Sequence, residues 1–366
     1  MGIKKLNSYL QQLNLIIELN DIEAVVTYIK SLNTQNKEYI FVTIDTSLYL
    51  YKYIRTEKLN PSISFISLFK KQIIKLLKHK IIPIYIFDGV PDNLKSDTMC
   101  KRLEKKNNNI LKLNNLSDID ICTLSDIDKK ILDDKIIKLS IQSTYVTQKD
   151  IITLQKYFDS IKISYIISPC ESDVLCAKLV QSGYADACLS EDMDILIYGC
   201  NILIKTYYGK YFIYNYDNII KKINITSNQL CKFATLLGSD YSRCANPKIF
   251  ANDLLDICKK YDFNVNLILN NIINIDIHRK FYNNDTISLS LSELSESVFS
   301  DIKTNDSELL QKIYKYYDLA YELLNFYNNN NIIDMLGNIN VFNKNSKQCT
   351  VELYNNLFNN IFHNTI

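Results

Sequence analysis

Tryptophan is absent from this chain of 366 residues, and glycine (7), proline (5) and histidine (3) are scarce. Isoleucine, asparagine, lysine and tyrosine take their place. This bias of AT-rich coding suggests a compact virus or parasite as source and says nothing about chemistry. The ten cysteines fall at irregular spacings with no Cys-x-x-Cys pair. With so few histidines, that argues against a zinc site or a disulfide framework and makes reduced, mostly buried thiols the expectation. No apolar run reaches the roughly 18–20 residues of a membrane span, and the first residues lack the apolar stretch of a secretory signal. Met1-Gly2 opens like a myristoylation site, but Leu6 stands where Ser or Thr is required. These absences lead to the expectation of a soluble intracellular protein without a membrane partner.

What is present is a set of apolar runs that stop at acids. Tyr39–Ile44 leads into Asp45, Ile81–Phe87 into Asp88, Ile163–Ile167 into Glu171 and Asp173, and Ala187–Leu189 into Asp192 and Asp194. Rich in Ile, Val, Tyr and Phe and too short for helices, these runs read as strands buried on both faces. Helical patterns separate them, which implies an α/β fold with a parallel sheet and crossover helices. Ligands of such sheets sit beyond the carboxyl ends of the strands, so acids from four distant parts of the chain should converge. Carboxylates that close repel one another unless cations neutralise them.

With Asp240, beyond Gly238, the candidate ligands number seven, all hard oxygen donors. Such a set selects Mg2+, with Mn2+ able to substitute, and suits two ions better than one. Two ions ~3.5–4 Å apart can activate a water, bridge a scissile phosphate and stabilise the leaving oxygen. The implied reaction is phosphodiester hydrolysis without a covalent enzyme intermediate. Each acid alone has an ordinary reading, because turns and helix caps use Asp constantly. Ser168 with Glu171 even fits a capping box with Pro169 at the first helical position. Asp173 falls outside that box, and four strand ends in register outweigh the single readings.

Around these strands, residues 1–37 carry helical periodicity (Leu6, Leu10, Leu13, Ile16, Ile17, then Ile22, Val25, Val26 and Ile29), and a helix is expected around Phe65–His79. Residues 93–150 are charged and helical, a long insertion between the second and third strands. Asn201–Tyr208 and Tyr211–Tyr216 flank Gly209-Lys210 as a hairpin. Thr226 and Gln229 form a capping box for a helix ending near Gly238. Asn283–Asp306 reads as a flexible connection before renewed helical periodicity over 307–327. Net charge is only +2, but residues 52–106 hold thirteen Lys/Arg against five Asp/Glu. A basic surface beside an acidic metal pocket is what cleavage of a polyanion requires.

Taken in order, several blocks resemble the flap endonucleases. They are Met1-Gly2-Ile3, Ile44-Asp45-Thr46-Ser47 with Tyr51, and Phe87-Asp88-Gly89 followed by Leu94-Lys95-Ser96 and Lys101-Arg102. Ser168-Pro169-Cys170-Glu171-Ser172-Asp173, Ser190-Glu191-Asp192-Met193-Asp194 and Leu237-Gly238-Ser239-Asp240-Tyr241 continue the series, so the resemblance covers roughly residues 1–260. It implies a 5′-nuclease, PIN-like fold, with a mostly parallel twisted sheet flanked by helices. Nuclease regions would span 1–105 and 151–260, the second with a degenerate helix-hairpin-helix element. A helical arch would occupy 106–150 and a helical C-terminal extension 261–366.

The implied activity is Mg2+-dependent, structure-specific 5′ cleavage of branched or ended DNA in replication, recombination and repair. Asp88, Glu171 and Asp173, with Asp45 near them, would hold the first ion, and Asp192, Asp194 and Asp240 the second. Tyr51 would stack on a base beside the scissile phosphate, while Lys95 and Arg102 steer that phosphate and offset its charge in the transition state. Gly2, Lys101 and Lys248 complete the implied DNA contacts; the ordinary readings are a core tyrosine at Tyr51 and a solvent-facing side chain at Lys101. The composition suggests a member from a large DNA virus, such as a poxvirus, acting at a cytoplasmic replication site; a cellular member would be nuclear. Two departures stand out. A Gly-rich hairpin that grips duplex backbone in the family is replaced here by Arg243-Cys244-Ala245-Asn246-Pro247-Lys248, and no Gln-x-x-apolar-x-x-aromatic-aromatic segment for a sliding clamp is found. A catalytically silent DNA-binding scaffold and a PIN-like ribonuclease are the alternatives. The scaffold gains nothing from seven carboxylates facing a phosphate backbone.

Overall fold

The computed structural model describes residues 2–3, 5–32, 37–89, 96–117, 125–161, 163, 165–240, 242, 244–245, 248–270 and 272. These fall into two compact units. One comprises Ile17–Glu191 and Cys200–Tyr214; the other comprises the chain up to Ile16, Asp192–Gly199 and the described residues from Asn215 onward.

Among the described residues seven strands, β1 (Ile16–Leu19), β2 (Ile40–Asp45), β3 (Ile81–Phe87), β4 (Tyr165–Ile167), β5 (Ala187–Leu189), β6 (Ile202–Tyr207) and β7 (Lys210–Asn215), make one sheet in the order β1-β7-β6-β5-β2-β3-β4. The described helices in the first half of the chain are α1 (Leu6–Gln12), α2 (Ile22–Leu32), α3 (Thr46–Leu59), α4 (Phe65–Lys78), α5 (Ser96–Ser117), α6 (Asp126–Gln142), α7 (Gln148–Ser160) and α8 (Ser172–Gln181). They are followed by α9 (Asp194–Ile197), α10 (Tyr216–Ile223), α11 (Ser227–Leu237) and α12 (Ala251–Lys260).

β2 lies parallel to β3 and β5, β3 to β4, and β5 to β6. The mostly parallel sheet expected from the apolar runs is therefore present, and every residue of β3 is buried, as a run apolar on both faces demands. The register aligns the strand ends. Asp45 pairs with Ile86, Phe87 with Ile167, and Ile44 with Leu189. Four carboxyl ends thus finish within a few residues of one level.

α4 shows why its segment is helical: Ser64 caps it by accepting from the Ser67 N–H (3.2 Å), and Phe65, Phe69, Ile73, Leu76 and Leu77 share a buried face. That face meets an aromatic core in which Tyr85 and Phe158 ring centroids lie 4.5 Å apart and Phe69 sits 5.8 Å from each. The buried Tyr85 hydroxyl donates to Gln72 Oε1 at 2.9 Å. In the other unit, the capping box at α11 forms as expected from Thr226 and Gln229, with bonds of 3.2 and 2.8 Å. Tyr9 of α1 packs edge-on against Phe233 of α11 at 6.1 Å.

Four sequence readings change. Ile16–Leu19 is a strand, not part of a helix, because β7 supplies its partner and Lys210 pairs with Glu18. α3 was invisible in the apolar pattern. The hairpin turn is Tyr208-Gly209 rather than Gly209-Lys210, since those two residues adopt the left-handed φ values of 47° and 80° that a two-residue turn needs. The capping box at Ser168 does not form: α8 begins at Ser172, and Ser168 Oγ instead bonds Cys170 N and Glu171 O. The expected connection at Asn283–Asp306 and the helical segment 307–327 lie outside the described residues.

Five of the eight described cysteines are buried. Burial pushes the Cys258 thiol up to about 12 and also raises Cys176 and Cys200, so these thiols stay protonated and shielded. Mass-spectrometric mapping of iodoacetamide labelling under native conditions should find exposed Cys100 modified first, and Cys176, Cys188, Cys200, Cys231 and Cys258 only on unfolding. Native labelling of the buried five at the Cys100 rate would contradict this packing. Among the described residues no helix is long and apolar enough to cross a membrane.

Candidate active site

In the sheet unit one serine gathers four of the predicted acids. Ser172, the first residue of α8, donates its backbone N–H to Asp88 Oδ1 (2.8 Å) and its hydroxyl to Asp45 Oδ1 (2.9 Å). Glu171 and Asp173 flank it in sequence. Asp45 closes β2 and caps α3, accepting from Leu48 N at 3.4 Å, while Ser190 Oγ, just past β5, donates to its second oxygen at 3.3 Å. Asp173 Oδ1 accepts the Val174 N–H at 2.7 Å. Asp45, Glu171 and Asp173 are buried, whereas Asp88 is exposed. Each of these donors is neutral and leaves the carboxylate's charge in place. The amino end of α8 adds its positive dipole end to the cluster. Glu171 occupies the cap position of α8 without making a side-chain cap bond, so capping does not account for its presence.

A close backbone approach holds the ends of β3 and β4 together. Ser168 N donates to Phe87 O (2.9 Å) and Gly89 N to Cys170 O (2.8 Å). A Cβ on Gly89 would stand 1.9 Å from Ser168 O, so only glycine fits there. Beside this junction, burial pushes the Cys170 thiol up to about 11; the nearby carboxylates of Asp173, Glu171 and Asp88 add to the rise, and a hydrogen bond with Ser168 opposes it.

In the other unit, Asp192 and Asp194 are buried at the start of α9, and Asp192 Oδ1 accepts the Asp194 N–H at 3.0 Å. Gly2, at φ 80°, lies directly against them: a Cβ there would fall 2.1 Å from Asp192 Oδ1 and 2.8 Å from Asp194 Oδ1. Asp240 is half-buried in a turn just past α11, where Ser239 N donates to Ser242 O at 2.9 Å and Ser242 Oγ to Thr235 O at 2.8 Å.

Tyr51 is half-buried on α3, with Arg55 from the same helix and Lys106 from α5 each 5.6 Å from its ring centroid. Burial, then the Arg102 charge, lowers the Lys106 pKa. Lys101 and Arg102 are exposed on α5, Lys248 is exposed, and Lys95 lies outside the described residues. Sequence reasoning assigned no role to Ser172, Ser190, Arg55 or Lys106. Ser172 had a signal, since a hydroxyl residue between two candidate ligands at a helix start can bond to acids on other strands.

Comparison with known proteins shows the family to which the chain belongs. Residues 1–109 match the XPG N-terminal domain and residues 162–240 the XPG I-region, together just over half of the chain. All seven acids fall inside these spans. The chain belongs to the XPG and flap endonuclease family of 5′ nucleases. It is 32% identical to Flap endonuclease 1 of Aedes aegypti over 174 residues, 46% of this chain and 43% of that one. It is 26% identical to Flap endonuclease 1 of Plasmodium vivax over 306 residues, 74% of this chain and 44% of that one. The chain thus spans less than half the length of these two curated relatives. Its fold is similar to the catalytic core of Rad2 in complex with DNA substrate, with a TM-score of 0.54 and 19% identity over 87% of this chain and 86% of that one.

Proposed function

We propose that this protein is a Mg2+-dependent, structure-specific 5′ nuclease. It would hydrolyse phosphodiester bonds of branched or ended DNA (5′ flaps, gaps and recombination intermediates) in replication, recombination and repair, with two metal ions. The observation that carries the reading is the cluster on Ser172, which draws acids from the ends of β2 and β3 to the start of α8. The donor set fits hard divalent cations, being all carboxylate oxygen, and Gly2 gives Asp192 and Asp194 a backbone neighbour with no side chain. Asp88, Glu171 and Asp173, with Asp45, would hold one ion, and Asp192, Asp194 and Asp240 the other. Bound ions there supply Lewis-acid charge to the attacking water and the leaving oxygen.

The chain's own residues do the positioning. Ser172 and Ser190 fix the Asp45 carboxylate, and the Ser172 N–H fixes Asp88. Tyr51 offers a ring to the base beside the scissile phosphate, and Lys95 and Arg102 meet that phosphate's charge. Family membership and the DNA substrate named in the Rad2 complex support DNA as the substrate class. A viral source rests on composition alone.

The test is a gel assay on 5′-labelled flap, nicked, gapped and four-way-junction DNA and on RNA, with Mg2+ and with EDTA. Short 5′ products from flap and gapped DNA are expected with Mg2+ or Mn2+ and none with EDTA. Binding without cleavage of any substrate would leave the scaffold reading, and cleavage of RNA alone would make the protein a ribonuclease.

A further inference from the structure

Tyr207 and Tyr208 stand at the tip of the β6–β7 hairpin, 65% and 88% exposed, and Tyr208 is the most exposed of the large hydrophobic side chains among the described residues. Their rings pack edge to face, with centroids 4.3 Å apart and planes at 77°. Tyr208 has φ 47° and Gly209 φ 80°. Asn, Asp or Gly occupies the first of two such turn positions at little cost, whereas a bulky side chain is strained there. Neither turn geometry nor burial therefore accounts for an aromatic residue at 208.

The strand register sets where this pair sits. Ile44 pairs with Leu189, and Leu189 with Ile204, so Asp45 and Lys205 share one level along the strands. Tyr207 lies two residues further in the direction in which the carboxyl ends point. Two strand spacings across and two residues along place its backbone roughly 12 Å from that of Asp45. Both residues belong to the same compact unit.

We infer that the Tyr207–Tyr208 pair is a stacking platform for unpaired nucleobases of the DNA held at the acid site, an inference that rests on the nuclease reading above. Stacking on an aromatic face accepts any base, which suits an enzyme that selects structure rather than sequence. Rings at nearly right angles present a face to one base and an edge to its neighbour. The turn is open beside Gly209, where an added Cβ would meet nothing within 4 Å.

Tyr208→Asn separates this role from a structural one, because asparagine suits the left-handed position. The variant should unfold at a higher temperature than wild type yet bind a 5′-flap DNA several-fold more weakly, measured by fluorescence anisotropy in Ca2+. Tyr207→Ala combined with Tyr208→Asn should lose about tenfold, while affinity for blunt duplex changes little. In the flap strand, 2-aminopurine should lose its quenching in the double variant. Unchanged flap affinity in the double variant would overturn the platform. An equal loss on blunt duplex would overturn it too, because duplex offers no unpaired base. If wild type binds no DNA, the nuclease reading falls with it; if wild type cleaves flaps and the variants bind them equally well, only the platform falls.

Discussion

Asp173→Asn should lower Mg2+-dependent cleavage about a thousandfold and yet unfold at a higher temperature than wild type in metal-free buffer. Asp173 is buried, and the hydrogen bond that it accepts from Val174 N at 2.7 Å can be accepted equally well by an amide oxygen. That bond and the side-chain volume are therefore kept. What changes is charge. Glu171 is two residues away, and Ser172 between them holds Asp45 and Asp88, so one site concentrates four carboxylates. Repulsion between neighbouring like charges in such a partly buried place is on the order of 1 kcal/mol or more. Against it stands the attraction of an acid to the first turn of α8, about 0.5 kcal/mol, so neutralisation should stabilise. Mg2+ should then raise the melting temperature of wild type more than that of the variant, because a ligand stabilises the state that binds it and the variant lacks one of the carboxylates proposed to hold the first ion. A variant that melts lower than wild type without metal would mean that the protein itself already neutralises these acids, and the argument for cations would lose its basis.

Gly89→Ala should have the opposite profile, with stability and cleavage falling together. The new methyl would meet Ser168 O at 1.9 Å and Cys170 O at 3.0 Å, both backbone atoms that no rotamer change can move. To admit it, the end of β3 and residues 168–170 must separate, which breaks the Gly89 N to Cys170 O bond and pulls Asp88 from the Ser172 N–H. Overpacking against fixed backbone costs about 2–3 kcal/mol, and a urea titration would read this as a lower midpoint. A midpoint and a cleavage rate equal to wild type would show that the β3–β4 junction is looser than its hydrogen bonds indicate.

Much of the fold could be read from the chain because its signals are local. β3 and β5 coincide with their apolar runs, Ile81–Phe87 and Ala187–Leu189, since a strand buried on both faces needs an unbroken apolar stretch. The α11 capping box involves residues three apart and declares itself in four letters. The acids were legible for a related reason: parallel strands end at one edge, so a carboxylate after each run must arrive there.

What the chain alone could not reveal depends on partners far away in sequence. β1 is four residues long and its isoleucines continue the helical periodicity before it, so it cannot be seen without β7, and α3 lacks a clean apolar stripe. Asp45 is held by Ser172 and Ser190, 127 and 145 residues distant, and no periodicity records such a bond. The sequence by itself determined the fold class and the places along the chain where acids follow the apolar runs. Only tertiary structure decided that a serine binds the acids together, that glycines at 2 and 89 make room for carboxylate and carbonyl oxygens, and that two tyrosines stand beyond the same sheet edge. Composition and spacing carry the first kind of information, while hydrogen bonds and steric exclusion between remote residues exist only once the chain has folded.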